Sequence, residues 1–199
     1  MSRTIHPIER ESYRILRERT DLSHLSPLSR AVAERVIHAA ADVSFAESLV
    51  LDEAALERGR AALRGGAAVY CDARMAAAGI TSRAPLVPLD DPRVPEAARE
   101  HGLTRSAAAV RLAAVEAPAG GVWVVGNAPT ALGELIARPP REPALIVGLP
   151  VGFVGAAEAK AALAVSGLPC VTNTGERGGS AVAVAALNAL IYFDPDSAP

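Results

Sequence analysis

Apolar positions recur at helical spacing through the first forty residues, then give way to short, wholly apolar runs separated by helical stretches. Pro7 suits a first helical position, and Ile8, Ser12, Ile15, Leu16 and Arg19 follow at spacings that share one face. Pro27, Leu28 and Ser29 open a second helix, roughly Ser29 to Ala40, with Val32, Val36 and Ile37 as its apolar members. Residues 48–51 read as a short strand and Glu53 to Leu63 as a helix stopped at Gly65 and Gly66. Ala67 to Cys71 is the next strand, and Asp72 to Ala78 a short helix ended by Gly79. Pro85, Pro88, Pro92 and Pro95, with Asp90 and Asp91, mark residues 84–95 as a connector, after which helical pattern resumes at Glu96 and over Arg105 to Glu116.

The remainder is the most regular part. Gly121 to Val125, Ala144 to Val147 and Pro169 to Thr172 read as buried strands, each followed by a Gly-, Pro-, Asn- or Thr-rich loop. Ala-rich helices come next: Thr130 to Arg138, Ala156 to Val165 and Ser180 to Ile191. Strands apolar throughout, alternating with helices, predict a parallel sheet covered on both faces. The expected fold is a three-layer α/β/α domain, flavodoxin-like, with a mainly parallel sheet and an N-terminal helical segment over about 6–42 packed on the α/β core. A chain of 199 residues makes one such domain with a real core.

Composition narrows the function. Twenty basic against 22 acidic side chains lack the basic excess of a nucleic-acid binder. Aromatic residues are 4% of the chain, too few for a base-stacking platform. Cys71 and Cys170 form no CxxC pair and suit a reducing cytosol. A membrane span is not expected, because no charge-free apolar run of about 18 residues occurs. Residues 1–10 turn charged at once and lack the apolar middle of a signal peptide, so a cytoplasmic protein is expected. Lys160 is the only lysine, so a Schiff-base mechanism has one candidate, at a position that reads as a solvent-facing helix residue.

In an open parallel sheet, ligands bind beyond the carboxyl ends of the strands. Those ends are residues 126–130, 148–155 and 173–180, each leading into a helix N-terminus whose free N–H groups suit carboxylate or phosphate oxygens. Ordinary turns, in which Gly and Asn supply positive φ, account for the same residues. No phosphate-loop motif occurs, and Gly148, Gly152 and Gly155 do not make G-x-G-x-x-G. G-x-S-x-G and H-E-x-x-H are absent, and His6, His24, His38 and His101 are dispersed, so no side-chain metal site is expected.

His38 stands late in the second helix, and Arg35, His38 and Asp42 share a face if that helix continues. The helix's carbonyl end and Asp42 favour an imidazolium there, Arg35 opposes it, and such an imidazole is a proton donor or acceptor. A histidine capping stray carbonyls at the helix end is the other reading. Ser12 interrupts the apolar stripe of the first helix, either bonding back to a carbonyl four residues earlier or offering its hydroxyl to a ligand. Arg83 and Arg177 lie in Gly- or Ser-containing loops, where solvation is the commoner fate of an arginine.

Six segments, in order, resemble the precorrin-8X methylmutase family of cobalamin biosynthesis. They are Pro7-Ile8-Glu9 leading to Ser12; Arg35-Val36-Ile37-His38 followed by Asp42; residues 72–80; Gly126-Asn127-Ala128-Pro129-Thr130-Ala131-Leu132; residues 150–160; and Arg177-Gly178-Gly179-Ser180. Ala159 departs from the pattern, where a Ser precedes the Lys. The resemblance implies a flavodoxin-like homodimer and an isomerase that needs no cofactor. It would move a methyl group from C-11 to C-12 of the tetrapyrrole, giving hydrogenobyrinate, or the cobalt-containing equivalent, with product handed to neighbouring pathway enzymes. It places the catalytic histidine at His38 and substrate contacts at Ser12 and Arg35. Loop position extends the contacts to Arg83, Asn127, Arg177 and Ser180. A non-catalytic corrinoid-delivery protein and another α/β enzyme acting on an anionic small molecule are the competing readings.

Overall fold

The computed structural model describes residues 6–195. In chain order its elements are α1 (Pro7–Arg19), α2 (Pro27–Ala40), α3 (Phe45–Ser48), β1 (Leu49–Leu51), α4 (Glu53–Arg64), β2 (Val69–Cys71) and α5 (Arg74–Ala78). A 3-10 turn (Pro88–Asp90) precedes α6 (Val94–His101), α7 (Arg105–Glu116), β3 (Val122–Val125), α8 (Pro129–Ala137), β4 (Leu145–Gly148), α9 (Ala156–Ala164), β5 (Cys170–Asn173) and α10 (Ser180–Tyr192). The expected α/β class and mainly parallel sheet are present.

Helix starts follow local chemistry. Pro7 and Pro27 occupy first turns, where a missing N–H costs nothing. The expected start of the second helix at Ser29 is two residues late. Glu53, from α4, accepts the backbone N–H groups of Leu28 (3.0 Å) and Ser29 (2.8 Å), satisfying two donors that a helix N-terminus leaves open. Asp52 caps α4 by accepting from Ala54 N at 3.0 Å.

The sheet order is β1-β5-β4-β3-β2. Strands β2 to β5 are parallel neighbours laid down in one direction, while β1 runs antiparallel on the β5 edge. Side chains alternate between two cores. Val69, Cys71, Val122, Val124, Leu145, Val147 and Val171 face a layer built from α1, α2, α4 and α10. Tyr70, Trp123, Val125 and Ile146 face α7, α8 and α9. Gly59 brings α4 close to the sheet, where a Cβ would stand 2.6 Å from a Leu145 methyl carbon. On the opposite layer, Arg111 holds the buried Glu134 at 2.7 and 3.1 Å, joining α7 to α8 and keeping that carboxyl below its ordinary range. Among the described residues, no helix is long and apolar enough to cross a membrane.

Candidate active site

The buried stripe of α2, Val32, Ala33, Val36 and Ile37, packs inward and shares a core with the small residues Ala185, Ala186 and Ala189 of α10. Packing that stripe turns Arg35 and His38 to the seam between α1, α2 and α10. There a cavity of about 480 Å³ is lined by Ile8, Glu9, Arg35, His38, Val184 and Asn188, among others. Its volume lies within the usual range of small-molecule sites. Ile8, predicted to belong to an apolar stripe, is instead 74% exposed on the cavity wall.

Ser12 and His38 meet across the α1–α2 contact, with Ser12 Oγ 2.8 Å from His38 Nδ1. Neither sequence reading of Ser12 anticipates this bond. The Tyr13 ring stacks on the imidazole with centroids 4.9 Å apart and planes inclined by 13°. Burial raises the Tyr13 phenol above its ordinary range, so Tyr13 serves the site as a neutral wall. Arg17 grips Glu34 through two bonds of 2.8 and 3.0 Å, fixing one helix against the other. Arg35 stands 3.8 Å from Glu9 and lies over the Tyr192 ring at 5.8 Å. Ser12 takes Nδ1, which leaves Nε2 uncommitted, with no described residue bonded to it.

The expected face of Arg35, His38 and Asp42 does not form. Ala41 adopts a left-handed conformation (φ 52°), ending α2, and its N–H closes onto Ile37 O. Asp42 instead bonds Ser44 and Arg177, interactions that hold its carboxyl below the ordinary range.

Asn127 and Ser180 lie together as hydrogen-bonded neighbours, and the residue after Ser180, Ala181, lines the cavity. Arg83 sits elsewhere, donating from both terminal nitrogens to Leu63 O at 3.2 Å and so capping the end of α4. Arg177 lies at the end of α2 and does not line the cavity.

Two charged groups are buried where the sequence does not predict it. Asp72, expected inside a short helix, precedes α5 and accepts from Gly126 N (3.1 Å), Asn127 N (2.8 Å) and Ala128 N (2.8 Å). Desolvation pushes its carboxyl above the ordinary range, against the pull of those N–H donors. Lys160, expected to face solvent, is fully buried. Its Nζ donates to Asn173 Oδ1 at 3.0 Å and to Arg177 O at 2.5 Å, and burial pushes the amine down to about 8. Asn188 was also missed: its amide donates to Gly79 O at 3.0 Å beside the cavity. No group of three His, Cys, Asp or Glu side chains among the described residues is arranged to hold a metal ion.

The family model described as precorrin-8X methylmutase matches residues 7–193. The precorrin-8X methylmutase of Pseudomonas aeruginosa is 45% identical over 194 residues, covering 92% of this chain and 93% of the relative. The cobalt-precorrin-8 methylmutase of Salmonella typhimurium is 44% identical over 186 residues, covering 89% and 88%. The solved precorrin-8X methylmutase of Thermus thermophilus superposes with a TM-score of 0.82 at 39% identity, over 92% of this chain and 93% of that one. Model, relatives and solved structure agree over nearly the whole length, and the chain belongs to the precorrin-8X methylmutase family, isomerases of cobalamin biosynthesis.

Proposed function

We propose that the α1–α2–α10 cavity receives an edge of the precorrin-8X or cobalt-precorrin-8 macrocycle, and that His38 handles the single proton the rearrangement uses. The observation that carries this reading is the Ser12–His38 bond, which commits Nδ1 and leaves Nε2 at a cavity shared with Arg35. The substrate's many carboxylates match Arg35 here and Arg177 at the end of α2.

A [1,5]-sigmatropic methyl shift breaks the bond at C-11 and forms one at C-12, with no leaving group and no electron carrier. A proton shared with the ring-C nitrogen withdraws electron density from the migrating system and returns to His38 once the new bond is made. One histidine is therefore sufficient acid–base machinery. Ser12 fixes the imidazole's orientation, its hydroxyl able to donate to or accept from Nδ1 as the proton moves, and Tyr13 fixes its plane. Substrate contacts at Ser12, Arg35, Asn127, Arg177 and Ser180 form the rest of this reading, and Arg83 joins them only from its capping position on α4. The active form is a cytoplasmic homodimer.

Mixing the purified protein with precorrin-8X tests the reading. The absorption spectrum should move to that of the corrin product with no added cofactor. Tight pigment binding with an unchanged spectrum would make the chain a carrier instead.

A further inference from the structure

Lys160 Nζ is enclosed beneath the loop that joins β5 to α10. An ammonium loses its hydration there, and an apolar side chain of similar length would fill the space at lower cost. What the ammonium supplies is direction. It donates to Asn173 Oδ1 and to Arg177 O, while the Asn173 amide donates to the same Arg177 O at 3.0 Å and to Thr174 O at 3.0 Å. Two further bonds tie this loop to the one after β4: Gly152 N to Glu176 O (3.1 Å) and Gly179 N to Leu149 O (2.8 Å). Above the loop, the Arg177 guanidinium reaches Asp42 and Ser44, just beyond the end of the helix that carries His38.

We propose that Lys160 is a positioning residue for the methyl shift: by gripping the Arg177 carbonyl from below, it aims the Arg177 guanidinium at the end of α2, where a substrate carboxylate meets it. The proposal rests on Arg177 as a substrate contact. It differs from a packing role because Lys160 then acts through one named side chain.

The test compares Lys160→Met, Arg177→Ala and the double variant in steady-state turnover of precorrin-8X. Lys160→Met should raise KM about tenfold with kcat within about twofold of wild type, because ground-state binding is what it serves. Its melting temperature should stay within about 4 °C of wild type. The double variant should be no worse than Arg177→Ala alone, since both remove the same contact. A wild-type KM for Lys160→Met, where Arg177→Ala raises KM, overturns the role of Lys160. Additive losses accompanied by a falling melting temperature also overturn it, by marking Lys160 as packing. A wild-type KM for Arg177→Ala overturns the Arg177 reading and the proposal with it. If Lys160→Met does not fold, Lys160→Gln takes its place: a neutral amide one bond shorter, it still fills the space but draws its donor back from the Arg177 carbonyl. A raised KM in that variant supports the proposal and a wild-type KM overturns it.

Discussion

The loops at the carboxyl ends of the strands and the α1–α2 helix pair both carry residues suited to an anionic ligand, but they employ them differently. In the loops, polar groups are largely committed to one another. Asp72 takes the N–H groups of residues 126–128, Lys160 and Asn173 take the Arg177 carbonyl, and Ser180 is bonded to Asn127. On the helices, only one nitrogen of His38 is committed, and the Arg35–Glu9 pair at 3.8 Å is loose. The loops form a frame, and the helices present the histidine proposed to handle the proton. Rigid elements hold a side chain more closely than loops do, and a group that must exchange a proton needs an uncommitted atom.

Gly178 is the most tightly enclosed glycine of the loops. A Cβ there would stand 2.3 Å from Leu149 O and 2.7 Å from Pro150 O, both backbone atoms with little room to yield. Gly178→Ala should cost about 3 kcal/mol or more in urea unfolding. Wild-type stability in that variant would show that the frame is soft.

Asp72→Asn comes next. It replaces a carboxylate that accepts three N–H groups with an amide presenting one oxygen, so at least one donor loses its partner. The expected cost is about 1–3 kcal/mol. A neutral result would remove Asp72 from the frame.

The smallest effect is a pH dependence. The Lys160 amine titrates near 8 in the folded chain and at 10.5 when unperturbed, so between those values the unfolded chain binds more protons and stability rises with pH. The cost of burying the charge is fully present below pH 8 and is relieved as pH climbs through the window. Relative to Lys160→Met, the wild-type protein should gain about 1 kcal/mol between pH 7 and 9. A flat difference would show that the amine is not desolvated.

What was legible in the sequence was local. The strands at 122–125, 145–148 and 170–173 announce themselves as apolar runs closed by Gly, Pro or Asn, and the helices between them follow from length and alanine content. The four-residue helix at 45–48 is too short to show a period. The antiparallel direction of β1 leaves no mark in its own three residues. The burial of Lys160 is not legible because α9, alanine at six of its nine positions, shows no distinct apolar stripe from which to tell its inner face. A lone lysine in such a helix was the available signal. The sequence singled out His38 and Ser12, yet their bond joins residues 26 apart and depends on how two helices pack. Tyr13 passed unnoticed for the same reason, and Asp72 because its partners lie more than fifty residues away.

On this reading, the proton of the rearrangement is handled on the helix pair, at His38. Its most direct test is His38→Ala mixed with saturating precorrin-8X, with turnover followed by the absorption change and product affinity measured separately. Turnover should fall by about 100-fold or more, as expected for loss of a positioned acid–base group, with product affinity unchanged within a few-fold. Wild-type turnover in His38→Ala would mean that His38 does not move the proton.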